Sequence, residues 1–430
     1  MALTPEQIAI GRRNFLKAMA GVPPLAALGV AATLRGPVRG GPVKAALIGP
    51  GRQGNVLLGQ CRKEFIDLKA LCDINPERVN ESADAMAKLG WPRPATYADW
   101  PEMLQKEDIE AVLIATPLST HADIAAGCLD AGKHVMCEKM MAYDVEGCRR
   151  MMDAAARNGR VLEIGYNRFY STQYAAAHEH VVKRGLLGDI HHVRLMYHRN
   201  RSWRRDIDPP SPTYSPAKWG YPTWDHLANW RLYPEYSQGL VAELGSHQIG
   251  TTNQYLGAFP TAALGSGGIY RFKDREVNDH VYVILEYPHG RTVTFSSIES
   301  NDFDHITEQF MGTNGTLIMG REGQALLFTG DEAETRIEVS DGSDNVVLDA
   351  SESRTADAAG RTVDAPASDD AAREDRLLPY RLEIATFCSA IRGTARLACG
   401  PEMAMRTAAA VVAANQAIAT GTKVPVAQLT

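Results

Sequence analysis

Residues 43–54 read VKAALIGPGRQG, and the reading of this stretch decides the fold. The apolar run Ala45 to Ile48 breaks into Gly49-Pro50-Gly51-Arg52-Gln53-Gly54. The following residues, Asn55 to Cys61, continue as a helix with Val56, Leu57 and Leu58 turned inward. Strand, glycine-rich turn and helix in that order form the phosphate-binding start of a dinucleotide-binding fold. Gly49 permits the tight turn, Gly51 lets the backbone approach a pyrophosphate, and Gly54 lets helix and strand pack closely. The helix N-terminus then offers free N–H groups and a partial positive charge to the phosphates. Three glycines alone more often mark an ordinary turn; the flanking strand and helix separate this stretch from that case.

The same alternation continues. Leu68 to Asp73 reads as a second strand, Glu77 to Leu89 as a helix stopped by Gly90, and Ile109 to Ala115 as a short buried strand ending in Thr116-Pro117. Thr120-His121 opens another helix, Lys133 to Cys137 is a strand ending in Glu138-Lys139, and a helix follows from Val145 to Asn158. Val161 to Gly165 closes the series. Strands alternating with helices imply a parallel, doubly wound sheet over 41–165, with ligands beyond the carboxyl ends of its strands. Asp73 lies 24 residues past Gly49. A carboxylate there accepts a ribose 2′-hydroxyl and repels a 2′-phosphate, which favours NAD over NADP.

At 430 residues the chain is long enough for two domains. Its net charge of −6 argues against nucleic acid as a partner. Seven scattered cysteines show no CxxC pair, so neither a zinc site nor a disulfide framework is expected. Residues 1–40 read as a signal and linker outside the fold. Gly11-Arg12-Arg13-Asn14-Phe15-Leu16-Lys17 resembles a twin-arginine export signal, with Gly11 where Ser or Thr is commoner. An apolar stretch from Ala18 to Leu34 follows. The expectation is export to the periplasm by the twin-arginine machinery, which carries folded proteins with their cofactor already bound.

Past residue 170 the pattern changes. Ile190 to Arg199 alternates as a strand, and Ser202 to Tyr236 is a long segment rich in Trp, Tyr and Pro. Gly239 to Tyr255 reads as a helix, and Gly268 to Phe272, Val281 to Tyr287, Thr292 to Ser297 and Glu308 to Gly312 are strand candidates. An α+β domain over 166–375 is expected, its 330–375 portion an acidic surface excursion, before C-terminal helices within 376–430, read at Tyr380 to Ala390 and Pro401 to Thr420.

The set GPGRQG, ATPLSTHADIAAGCLDAGKHVMCEKM, EIGYNRFY and GLVAELGSHQI resembles, in this order, the glucose–fructose oxidoreductase and inositol dehydrogenase family, Gfo/Idh/MocA. The resemblance covers roughly 43–320 and the C-terminal helices. It implies an N-terminal Rossmann sheet, then a domain with a large, mostly antiparallel sheet, and terminal helices that pack back near the first domain. One face of that second sheet often forms a subunit interface, so a homo-oligomer, dimer or tetramer, is expected.

On this reading Gly49, Gly51, Arg52, Gln53, Gly54 and Asp73 hold the dinucleotide, with Thr116, Pro117, His121, Glu138, Lys139 and Asn167 lining it. Glu138 resembles the family's ribose- or nicotinamide-contacting residue, and Met140 stands where the family usually has Pro. Lys139, at the carboxyl end of a strand beside the expected nicotinamide, hydrogen-bonds the reacting hydroxyl. Glu243 and His247, at i and i+4, share a helix face, so that Glu243 orients a histidine that takes the alcohol proton. Glu243-Leu244-Gly245-Ser246-His247 resembles the family's D-x-G-x-H. Tyr166 joins the catalytic set; Trp230, Arg231 and His247 face the substrate. No third ligand accompanies Glu243 and His247 at a metal-binding spacing, so no metal is expected. The expected activity is NAD-dependent oxidation of a C–OH group on a sugar, polyol or sugar derivative. The alternative is an NAD-dependent glycosidase working through a transient 3-keto sugar, which suits an exported enzyme holding its cofactor tightly.

Overall fold

The computed structural model describes residues 3–19, 40–211, 213–320, 325–330 and 369–428, with side chains from 376 in the last segment. Most of the acidic stretch 330–375 and of the apolar stretch after Ala18 lies outside them.

The first sheet is built from β1 (Val43–Ile48), β2 (Ile66–Cys72), β3 (Ala95–Tyr97), β4 (Ala111–Ile114), β5 (His134–Glu138) and β6 (Leu162–Gly165). Their order is β3-β2-β1-β4-β5-β6, and every pairing is parallel. The order reverses between β1 and β4, and at such a switch point the carboxyl ends splay into a crevice. Strands buried on both faces carry few polar residues, which is why β4 reads as an unbroken apolar run and β1 as one broken only by Lys44.

The connecting helices are α2 (Arg52–Gln60), α3 (Pro76–Lys88), α4 (Trp100–Lys106), α5 (His121–Asp130) and α6 (Val145–Asn158). Their ends follow local chemistry. The Asn75 side chain caps α3 ahead of Pro76 at its first turn, and Asp144 caps α6 by accepting the Gly147 N–H at 2.7 Å. Gly159, at φ +58°, ends α6 in a left-handed turn.

After α7 (Thr172–Ala177) comes β7 (Ile190–Asn200), then a crossing segment that holds α8 (Trp224–Ala228), and α9 (Ser246–Leu256). The second sheet adds β8 (Ala262–Gly268), β9 (His280–Glu286), β10 (Thr292–Ile298), β11 (Ser300–Gly312), β12 (Gly315–Gly320), β13 (Ala325–Thr329) and β14 (Val424–Pro425). Its order is β13-β12-β11-β7-β10-β9-β8-β14, antiparallel except where β10 runs parallel to β7. Two last helices tie the sheets together. In α10 (Asp369–Ile391), Ile384, Phe387 and Cys388 enter the core beside Leu57 of α2. α11 (Pro401–Thr420) lies against β8, α6 and α9.

The N-terminal stretch expected outside the fold packs onto it. α1 (Pro5–Ala18) starts with a capping box, Thr4 accepting the Gln7 N–H while the Gln7 side chain accepts from the Thr4 N–H. It lies on β13, with Phe15 buried. A Cβ at Gly11 would stand 2.7 Å from Phe328 Cζ and 2.9 Å from Leu326 Cβ. That close approach is a physical reason for glycine beside Arg12 and Arg13, which remain exposed. Gly11→Leu is expected to lift α1 off the sheet, so that trypsin cuts after Arg12 and Arg13 at least about tenfold faster, because docking energy suppresses local opening. Equal cleavage rates in the two proteins would contradict this docking.

Candidate active site

The glycine turn closes against the neighbouring strands. The Gly49 N–H donates to Cys72 O at 2.8 Å, and Gly49 takes φ +87°. A Cβ there would lie 2.8 Å from the Ala115 carbonyl, and one at Gly54 would lie 2.2 Å from Gly49 O. At Gly51 the space is open, with nothing within 4 Å. Two glycines thus permit close packing while the middle one leaves an open approach to the α2 N-terminus, which fits a pyrophosphate. At the end of β2, Asp73 is buried and its Oδ1 accepts the Asn75 N–H at 2.7 Å. Its Oδ2 has Arg78 at 4.0 Å and keeps acceptor capacity for a ribose hydroxyl. Burial pushes the Asp73 carboxyl up, and Arg78 opposes it. The residues present therefore fit NAD.

The turn is also tied to β5. Gln53 Nε2 donates to Glu138 Oε1 at 2.8 Å, and Glu138 Oε2 accepts the Lys139 N–H at 3.2 Å. Glu138 is 7% exposed, so it shapes the base of the cleft. The Lys139–Met140 peptide is cis. His121, expected on the cofactor surface, is turned inward at 2% exposure. Its Nδ1 lies 2.9 Å from Met140 O and its Nε2 3.0 Å from Thr116 O. The ring thus braces the end of β4 against the Lys139–Met140 step. Thr116 accepts from the Thr120 hydroxyl at 2.8 Å and borders Gly49. Pro117 and Asn167 are half-buried beyond β4 and β6.

Lys139 Nζ reaches across to the second domain and donates to the backbone carbonyl of Glu243 at 2.9 Å. Burial lowers the Lys139 ammonium below its ordinary value, against the attraction of Glu243 and Glu138. Burial raises the Glu243 carboxyl, but Arg231 and Lys139 outweigh it, so the net direction is down. Arg231 Nε donates to Glu243 Oε2 at 2.7 Å, and its guanidinium lies 4.3 Å from the Trp230 ring centre.

His247 differs from expectation in its partner. Residues 241–245 form a π-helical turn that runs into α9. This wider turn changes which side chains share a face, and Glu243 goes to Arg231. His247 Nδ1 is buried with no hydrogen-bond partner among the described residues. Burial, then Lys139 and Arg168, hold the imidazole well below its ordinary value, so it is neutral at pH 7. Tyr166, 1% exposed, stands edge-on to it with ring centres 6.0 Å apart and planes at 89°. Burial pushes the Tyr166 phenol up, so it stays protonated. Tyr166 shapes the wall behind His247. The nearby Arg168 is paired with the buried Glu308.

The structure brings Lys139, His247, Glu243, Arg231 and Tyr166 to one end of the crevice and Asp73 to the other. Arg205 was not anticipated. Its backbone pairs with the Asn229 side chain, two residues before Arg231, and the signal for it was the run Arg199, Arg201, Arg204 and Arg205.

With this geometry established, comparison with known proteins places the chain. Residues 43–166 match the family model described as "Oxidoreductase family, NAD-binding Rossmann fold", and 175–318 match the GFO/IDH/MocA C-terminal domain. The chain belongs to the Gfo/Idh/MocA oxidoreductase family. It is 25% identical over 300 residues to a glycosyl hydrolase family 109 protein of Shewanella pealeana, covering 68% of this chain and 59% of that protein. It is 28% identical over 254 residues to an alpha-N-acetylgalactosaminidase of Shewanella oneidensis, covering 58% of this chain and 53% of that protein. The chain thus spans less than two thirds of the length of these curated relatives. Among solved structures, the WlbA dehydrogenase from Bordetella pertussis, in complex with NADH and UDP-GlcNAcA, has the same fold: TM-score 0.67 at 17% identity, covering 90% of this chain and 99% of that one.

A pH experiment checks the electrostatics of His247. The fold keeps this imidazole neutral, whereas the unfolded chain's imidazole takes up a proton below about pH 6.5. The unfolded state then binds more protons, so acidification through that value removes stability. His247→Gln is expected to lose less stability than the unaltered protein between about pH 7 and pH 5, read as the shift of the urea midpoint. Equal shifts would contradict a buried neutral histidine.

Proposed function

We propose that this protein uses NAD to oxidise a C–OH group of a sugar or sugar derivative. The observation carrying this reading is the meeting of Lys139, from the end of β5, with the π-turn and neutral His247 of the second domain. Asp73 and the Gly49–Gly54 turn bind the cofactor, whose nicotinamide, when bound, supplies the hydride acceptor. Lys139 donates a hydrogen bond to the reacting hydroxyl oxygen and holds it. His247, neutral, accepts the hydroxyl proton as the carbonyl forms. Its positive charge is then opposed by Lys139 and Arg168, which favours return of the proton in the reverse direction. Arg231, held by Glu243 and stacked on Trp230, faces the sugar hydroxyls with its remaining N–H groups.

A redox-neutral version of this chemistry is favoured by the family 109 glycosyl hydrolases among the relatives. Oxidation at C3 makes the C2 proton acidic. Its loss expels the group on C1, water adds in its place, and the C3 hydroxyl is restored with no net redox change. The substrate on this reading is a glycoside. Residues 12 and 13, exposed on α1, support export by the twin-arginine machinery to the periplasm, where a tightly held cofactor suits a redox-neutral cycle. The outer face of the second sheet, with Tyr282 52% and Ile284 43% exposed, supports a homo-oligomer, dimer or tetramer.

Lys139→Ala is expected to lower turnover at least about a hundredfold on any sugar substrate, the scale of a lost proton-handling group. Undiminished turnover would sink the assignment. Assayed on a glycoside panel, release of an aglycone without accumulating NADH is the expected outcome for the redox-neutral cycle. One NADH per sugar turned over would instead identify a simple dehydrogenase.

A further inference from the structure

Two short segments meet across the junction of the domains. One is Lys139 to Tyr143, which follows β5; the other is Gln238 to Glu243, which leads into the π-turn. Lys139 Nζ donates to Glu243 O at 2.9 Å, and Gln238 Nε2 donates to Tyr143 O at 3.0 Å. Residue 139 thus pairs with 243 and residue 143 with 238, so the segments run in opposite directions and are closed at both ends. Tyr143 Oη adds a third tie, donating to Pro234 O at 2.5 Å.

Neither segment has slack. Met140, Met141 and Ala142 are buried, and Met140 O lies 2.9 Å from His121 Nδ1. On the facing side Leu240, Val241 and Ala242 are buried. Gly239, at φ +61°, gives its N–H to Ser237 Oγ at 3.1 Å, and this left-handed turn, which glycine adopts without strain, sends the chain into the helical run that holds the π-turn.

The Gln238 amide is itself held from behind. Asn415 Nδ2, on α11, donates to Gln238 O at 2.8 Å and to Gln238 Oε1 at 2.9 Å. A backbone carbonyl only accepts, so it fixes the nitrogen of the Asn415 amide toward residue 238. The second N–H of that nitrogen then selects Gln238 Oε1, which turns Gln238 Nε2 to the Tyr143 carbonyl. Helix α11 packs against both α6 of the first domain and the π-turn, so the relay stands on an element that touches both sides of the junction.

A single hydrogen bond between two bodies leaves a pivot about it, and a second bond at the far end of the paired segments removes that pivot. The two bonds differ in stiffness. Lys139 Nζ ends a flexible four-carbon stem and follows the π-turn if it shifts, whereas Gln238 ties backbone to backbone through one oriented amide. We infer that Gln238 is a positioning residue, which fixes the π-turn against the end of β5 so that Lys139 and His247 address one hydroxyl group. It acts through the backbone on which these two side chains stand.

The inference rests on the sugar-oxidising reading of the site. Its test mixes the NAD-loaded protein, in a stopped-flow instrument, with the member of a sugar and glycoside panel that the unaltered protein turns over fastest. The first rise in NADH absorbance, per bound dinucleotide, reads hydride transfer. Gln238→Met keeps the length of the side chain and removes its hydrogen bonds. It is expected to slow that first rise at saturating sugar at least about tenfold, the scale of a small misplacement of reacting groups, while the half-saturating sugar concentration moves less than about threefold. Asn415→Leu, which leaves Gln238 in place but frees its amide to turn, should slow the rise severalfold, and it decides the matter if Q238M does not fold. A first-turnover rate within about twofold of the unaltered protein in Q238M, or in N415L where only N415L folds, would overturn the inference. So would a slower rate matched by an equal rise in the half-saturating concentration, since the loss would then lie in sugar binding. Failure of the underlying reading would look different, as no rise in NADH absorbance with any panel member in the unaltered protein.

Discussion

One hydrogen bond, from Lys139 Nζ to the carbonyl of Glu243 at 2.9 Å, joins the chemistry of the two domains. Lys139 directly follows β5 of the first sheet, and Glu243 lies in the π-turn that precedes His247. The bond holds a partly desolvated ammonium at the mouth of the crevice without using a carboxylate as its direct partner. The Glu243 carboxylate is then free to hold Arg231, and the positive charge of Lys139 helps keep His247 neutral. A hydrogen-bond donor for a hydroxyl oxygen and a neutral acceptor for its proton are thereby kept in one cleft, the arrangement that general base chemistry on an alcohol needs.

The supports behind this bond are distributed over the chain. Gln53 and Glu138 connect the phosphate turn to β5, His121 braces the Lys139–Met140 step, and Tyr166 backs His247. A site at the carboxyl ends of parallel strands is built on rigid elements, so its side chains need little reorganisation on binding.

Much of the first domain was legible because its signals are local. A buried apolar run followed by closely spaced glycines admits few conformations, and the Cβ contacts at Gly49 and Gly54 show why. Helix α11 spans Pro401 to Thr420, as read from the sequence, since proline at its start and Gly421 at its end set both limits. The second domain was harder. β11 begins at Ser300, eight residues before the expected Glu308, because its exposed residues 301–305 interrupt the pairing with β7 between Asn301 and Ile306. The strand candidate at Gly268 to Phe272 instead ends at Gly268, where three backbone N–H groups of residues 270–272 turn to the Asp279 carboxylate. The Glu243–His247 spacing was read as an α-helical pair, and nothing in five residues distinguishes an α-turn from a π-turn. Likewise, no local pattern says that Arg204 bridges Asp225 and Asp274; that depends on residues distant in sequence.

The central claim is that Lys139 and His247 serve hydride transfer between a sugar carbon and the bound nicotinamide. It is tested most directly with a sugar substrate carrying deuterium on the carbon that is oxidised. The holoprotein is mixed with it, quenched during turnover, and the extracted dinucleotide is weighed by mass spectrometry. The account predicts that deuterium enters the dinucleotide in the unaltered protein and that Lys139→Ala abolishes this entry. Substrate consumed while the dinucleotide stays unlabelled would contradict it.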